Sequence, residues 1–233
     1  MELLSKVNHW LSFVSAGVDV LLLLRVLTLK LHRTYVFITL ACVLAVFFDG
    51  VDLWPGIGQE ESTRAFYYSR FLYAFVFPIA AWDVFEEMKT PLAKFRRLAI
   101  SRTVTSLVLI AIFGLAIAAF VGDTDGFEFV NTLAKFIWTG SAAASLSFLW
   151  VMHKGMRDQK TEAPRNTFTW LIFYALILLG EIAACFFVQM APIFNRPVFE
   201  SLKLALILYD LLITAWCIVR LRGIAPEAPS ASG

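Results

Sequence analysis

Seven apolar runs, each long enough to cross a bilayer as a helix, dominate this chain, at approximately residues 7 to 29, 35 to 54, 66 to 87, 98 to 121, 130 to 153, 167 to 191 and 199 to 221. A helix rises about 1.5 Å per residue, so about 20 mostly apolar residues span the hydrocarbon core. Seven such runs in 233 residues leave only short connectors and no room for a separate soluble domain. The breaks between them carry turn chemistry: Trp54-Pro55-Gly56-Ile57-Gly58, Thr90-Pro91, Gly122-Asp123-Thr124-Asp125-Gly126, Ala163-Pro164 and Asn195-Arg196-Pro197.

Composition agrees with a membrane class. Hydrophobic residues make up 59% of the chain and charged residues 16%, with a mean hydropathy of +0.73, well outside the range of soluble domains. A net charge of +2, with its basic residues in short clusters beside apolar runs, gives no nucleic-acid footprint. Cys42, Cys185 and Cys217 all fall inside apolar runs, which makes them small hydrophobes rather than a disulfide framework. The first run is expected to be retained rather than cleaved, because Asp19 interrupts it and Arg25 closes it.

Orientation follows from the lysine and arginine content of alternate loops, since positive residues stay on the cytoplasmic side. Fourteen fall on one side, in the clusters 25 to 33, 89 to 102, 154 to 165 and 220 to 222, against six on the other: Lys6, Arg64, Arg70, Lys135, Arg196 and Lys203. Tryptophans prefer the interface. By this count Trp10, Trp54 and Trp138 belong to the outer ends, and Trp82, Trp150, Trp170 and Trp216 to the inner ends. The expected fold is therefore an all-α membrane protein: a seven-transmembrane-helix bundle over residues 1–222, N-terminus outside and C-terminus cytoplasmic. A small, proline-rich stretch, 223–233, follows as a disordered cytoplasmic tail.

In a bilayer the informative residues are ionisable groups at depth, because a charge near the midplane costs about 2.5–3.5 kcal/mol on insertion scales. Asp19, Glu181 and Asp210 lie near the centres of the first, sixth and seventh runs, with no lysine or arginine expected at the same depth. If the helices close into a ring in chain order, these three are on neighbouring helices and could line one cavity for a proton, a cation or a ligand. The other reading is that each acid donates a hydrogen bond that fastens helices together, with Ser15 and Thr214 as partners four residues away.

A second constellation is Asp49 and Asp52 at the outer end of the second run, where helix carbonyls disfavour carboxylates. Arg64 and Arg70 are the candidate counter-charges, making either a salt-bridged cap or an outer vestibule for cations. Asp83, followed by Glu86, Glu87 and the basic run from Lys89 to Arg102, reads as an inner charge network, with anionic lipid a further contact. Pro78 is a candidate kink in the aromatic third run. The small residues Gly140 to Ser147 mark the fifth as a packing face, within the bundle or in a dimer.

No catalytic motif is present. His9, His32 and His153 lie at run ends with no HExxH pattern, and there is no GxSxG or glycine-rich phosphate loop, so neither a metal nor a cofactor is expected. The general plan resembles microbial rhodopsins, with Lys135-Phe136-Ile137-Trp138, Pro78 and Asp83 in similar places. The resemblance implies a retinal lysine four residues after an aspartate of the last helix. That position, four after Asp210, is Thr214, so no Schiff base is expected. Sugar-transporting PQ-loop proteins share the topology, but the chain holds no Pro-Gln pair, and no family is assigned. The functional expectation is a non-catalytic sensor, receptor-like protein or accessory subunit of an inner or plasma membrane. Its partners would be the bilayer and a membrane protein or second copy. The alternative is a proton- or cation-coupled small-solute transporter using the mid-membrane carboxylates.

Overall fold

The computed structural model describes residues 2–54, 56, 59–121, 126–190 and 195–223, with the backbone alone for 2–5, 52, 59–67, 121, 126–128, 188–190 and 196. Among these the chain is all-helical, with seven α-helices: α1 Glu2–Thr28, α2 Val36–Asp52, α3 Gln59–Asp83, α4 Ala93–Val121, α5 Gly126–Asp158, α6 Arg165–Met190 and α7 Arg196–Arg220. Four of them are long and apolar enough to cross a membrane, over Lys6–Thr28, Ala93–Phe120, Arg165–Phe187 and Pro197–Arg220. The apolar stretch of α2, Val36–Val51, is shorter. The tail expected over 223–233 lies, beyond Gly223, outside the described residues.

Local chemistry sets several boundaries. The Asn195 side chain caps α7 by accepting from Val198 N at 3.1 Å, and Pro197 occupies the first turn, where a missing N–H costs nothing. The exit of α5 is a left-handed turn at Lys160 (φ 52°), closed by Thr161 N donating back to Met156 O at 3.0 Å. Arg25 Nη2 donates to Leu221 O at 3.2 Å, and the Asn166 side chain clasps both backbone groups of Arg222. These contacts tie the end of α7 to α1 and α6.

Packing departs from a ring in chain order. Helix α3 packs on α5, and the ring closes as α1, α2, α3, α5, α6, α7. Helix α4 lies against α5. The reason is legible along α4: Ala99, Thr103, Gly114 and Ala118 form one buried stripe, while Val104, Val108, Ile112, Phe113 and Phe120 are exposed. That narrow stripe seats on the small-residue face of α5, close enough that a Cβ at Gly140 would stand 2.5 Å from Ile110 Cγ2. Ser141, Ala142, Ala144 and Ser145 are all buried, Ser141 against α3, so the small residues of α5 serve packing within the bundle.

Pro78 lies inside α3 and has no N–H to give to Ala74 O, four residues earlier. The hydroxyl of fully buried Ser141, on α5, donates to that carbonyl instead. Removing the donor by Ser141→Ala is expected to cost about 1–3 kcal/mol, the penalty for a buried unpaired carbonyl. Pro78→Ala restores a backbone donor and should remove most of that cost. Unfolding of the two single variants and the double variant in detergent measures the coupling, and strictly additive losses would refute it.

Candidate functional site

Five helices each present one inward stripe to the middle of the bundle. On α1 the stripe is Asn8, Ser12, Ser15, Asp19, Leu22 and Val26, at helical spacing, so Asp19 points where the buried Leu22 and Val26 point. On α7 it runs Asp210, Ile213, Thr214, Cys217 and Leu221. The corresponding faces of α2, α3 and α6 bring Cys42, Phe48 and Asp49; Arg70, Tyr73 and Phe77; and Phe173, Tyr174 and Glu181. Together these enclose a cavity of about 350 Å³, lined by Asp19, Asp49, Glu181 and Asp210 with Arg70 the one cation in its wall among the described residues.

Glu181 is held by side chains from two other helices. Its Oε2 accepts from Arg70 Nη1 at 3.0 Å and from Trp138 Nε1 at 2.8 Å, and its Oε1 lies 3.3 Å from the same guanidinium nitrogen. The guanidinium also sits over the Trp138 ring at 4.3 Å and over the Tyr73 ring at 5.7 Å. One ion pair therefore joins α3 to α6, and one indole from α5 supports both of its members. The sequence expectation of a carboxylate without a cation at its depth is overturned for Glu181: α3 delivers Arg70 across the bundle.

Asp19 and Asp210 are different. Ser15 Oγ donates to Asp210 Oδ2 at 3.4 Å, across from α1 to α7 rather than to Asp19 on its own helix. Asp49 lies within hydrogen-bonding reach of Asp19. Among the described residues neither Asp19 nor Asp210 has an ion-pair partner. At the N-terminal end of the same seam, Asn8 Nδ2 donates to Glu200 Oε2 at 2.6 Å, so α1 and α7 meet through polar contacts at two levels.

Of the expected residues, Asp19, Asp49, Arg70, Glu181 and Asp210 therefore converge on one cavity. The side chains of Asp52 and Arg64 lie outside the described residues. Asp83 is elsewhere: its Oδ2 accepts from the backbone N–H groups of Phe37 at 2.8 Å and Ile38 at 3.1 Å, capping the first turn of α2 from the end of α3. Around it Tyr35 Oη donates to Glu87 at 2.6 Å, and Glu86 pairs with Lys89 and Arg96.

Trp138 belongs to the site but was expected at an outer interface; it is 1% exposed. Its position three, four and seven residues before Ser141, Ala142 and Ser145 puts it on the packing face of α5, a signal present in the sequence. Trp170 is likewise buried, whereas Trp10, Trp54 and Trp150 are exposed as interfacial indoles would be. Cys42, Cys185 and Cys217 are buried free thiols. No protein-family model, curated protein or solved structure matches the chain.

Proposed function

We propose that this chain is a multi-pass protein of an inner or plasma membrane, a seven-helix bundle with its N-terminus outside and its C-terminus in the cytoplasm. It acts as a non-catalytic sensor or receptor-like subunit: a small ligand occupies the cavity among α1, α2, α3, α6 and α7, and a membrane partner reads the resulting helix positions.

The observation that carries this reading is the cavity. Its volume falls within the usual range for small-molecule sites, its walls combine apolar and polar groups, and it is shared by five helices, so an occupant touches all of them. The four long apolar helices support membrane insertion, as does the apolar exterior of α4. Helices α3 and α5 are less apolar because their polar residues, Ser69, Ser141 and Ser145, are buried inside the bundle rather than turned outward, which is compatible with spanning. The charge asymmetry of fourteen basic residues against six supports the orientation.

Topology is tested with single cysteines placed near each end against the background of the three buried thiols. Ser5→Cys should react with an impermeant maleimide in intact cells, and Ser232→Cys only after permeabilisation. The opposite pattern sinks the orientation. Purified protein in liposomes should move no solute by itself, and sustained flux would replace the receptor reading by the second one. That second reading, a proton- or cation-coupled transporter, is favoured by the placement of Asp19 and Asp210 on adjacent helices facing one cavity. It requires Asp210→Asn to abolish transport in a protein that still folds.

A further inference from the structure

We infer that the occupant of this cavity is a small organic cation, a primary or secondary amine bearing an aromatic or similarly flat apolar group. This rests on the cavity being a ligand site, and it specifies the chemistry of the ligand.

Charge gives the first half of the argument. Arg70 is engaged by Glu181, while Asp19 and Asp210 face the same space without an ion-pair partner among the described residues. A monovalent cation placed between them completes the pairing that the bundle supplies for Glu181 but not for these two. An anionic occupant would face the carboxyls unassisted, and a neutral one would leave them uncompensated in a desolvated place.

The hydroxyl of Thr214 is independent of the acids. This residue is 2% exposed, lines the cavity one turn from Asp210, and makes no hydrogen bond among the described residues. A buried hydroxyl is ordinarily satisfied, and in a helix it commonly returns to the carbonyl four residues back. Here it is left to accept from, or donate to, whatever fills the space. A primary ammonium carries three N–H donors, enough for Asp210, Asp19 and this oxygen at once, and a secondary one carries two, enough for the two carboxyls.

The walls decide between an organic amine and a bare metal ion. Phe48, Tyr73, Phe77, Phe173 and Tyr174 line the cavity, giving π-faces that attract a cation and a flat apolar surface for a ring. Among the described residues no three acidic, histidine or cysteine side chains converge as metal ligands. At about 30 Å³ per water-sized group the space holds roughly a dozen such groups. That is far more than a desolvated metal ion and close to the size of an arylalkylamine.

The test uses the full-length protein in nanodiscs of neutral phosphatidylcholine, with 2-phenylethylammonium as probe and 2-phenylethanol and 3-phenylpropionate as its neutral and anionic counterparts. Binding is read by calorimetry and by the shift in unfolding temperature. The ammonium should bind at least tenfold more tightly than either counterpart. Asp19→Asn and Asp210→Asn should each weaken it at least tenfold, Thr214→Val severalfold, and the exposed Asp158→Asn not at all. Helicity and unfolding of each variant in the absence of probe establish that it is folded. If 2-phenylethanol binds as tightly as the ammonium, or if both Asn variants keep full affinity, the amine assignment is overturned while the cavity remains a ligand site. Stabilisation by sodium chloride with none by the ammonium overturns it in favour of an inorganic ion. If none of the three probes binds, and filling the space by Ile177→Trp leaves the folded protein unchanged, the ligand-site reading falls and this inference with it.

Discussion

An Arg70→Ala protein is expected to lose about 2–4 kcal/mol of stability in detergent, among the largest effects of any single substitution in the bundle. Removing one member of a buried ion pair costs about 3–5 kcal/mol, because the other charge is left desolvated and unpaired. The side chains of Arg70 and Glu181 are 18% and 22% exposed, so the cavity wets the pair slightly and the lower part of that range applies. Two further losses add to it: the cation over the Trp138 ring disappears, and the acidic cavity loses the one cation in its wall among the described residues. Glu181→Gln should cost less, since an amide oxygen still accepts from Trp138. The double variant Arg70→Ala/Glu181→Gln should be more stable than Arg70→Ala alone, because no orphan charge remains. Equal stability of the double and Arg70→Ala proteins would show that the pair is not what joins α3 to α6.

Asp83→Ala should cost about 2–3 kcal/mol through a different mechanism. The first N–H groups of a helix have no partner within it. The residue before α2, Tyr35, offers no side-chain cap, and its hydroxyl is committed to Glu87. The 6%-exposed carboxylate of Asp83 supplies the missing acceptor for two of these groups from another helix, with charge favourably placed at the positive end of the α2 dipole. Two charge-assisted hydrogen bonds are lost together, and the amides they served stay buried in part. Asp83→Asn keeps one acceptor oxygen and should cost about 1 kcal/mol, in the range of other cap substitutions. Hydrogen exchange at Phe37 and Ile38 is the direct readout: it should accelerate strongly in Asp83→Ala while amides in the middle of α2 change little. Unchanged protection there would remove the capping role.

Much of the architecture was legible in the chain, and the failures have physical causes. Each apolar run lies close to one helix, but α1, α3, α4 and α5 begin several residues earlier than their runs, at Glu2, Gln59, Ala93 and Gly126. Polar residues continue a helix across an interface as readily as apolar ones, so hydropathy marks depth and not helix ends. The ring in chain order failed at α4 because runs of Leu, Ile, Val and Phe do not reveal which face is buried. The informative residues were the small ones, Ala99 and Thr103, then Gly114 and Ala118, each pair one helical turn apart and on the same face. For the site, Asp19, Glu181 and Asp210 could be picked out because a carboxylate inside an apolar run has to be explained. Arg70 was picked out, but its pairing with Glu181 was not foreseen, since depth along one helix says nothing about which helix stands opposite. Asp83 was read as part of a charge network; that a side chain of one helix caps another is invisible until the two are packed.

The displacement of α4 also orders the assembly of the bundle in time. Chain elongation releases α4 before α5, yet the neighbour of α3 in the ring is α5. When the first four helices have left the ribosome, the face of α3 that carries Ala74 and Arg70 has nothing permanent to rest on. The Pro78-orphaned carbonyl is then still without its hydroxyl donor, and Trp138 has not arrived beneath the guanidinium. The next helix must pass into the place beside α3 that its predecessor skipped, with α4 settling behind it on the outside. Vectorial synthesis thus leaves a half-built wall that only the fifth segment can complete. Truncations after α4 should accordingly be captured by membrane quality control, whereas those after α5 should persist longer.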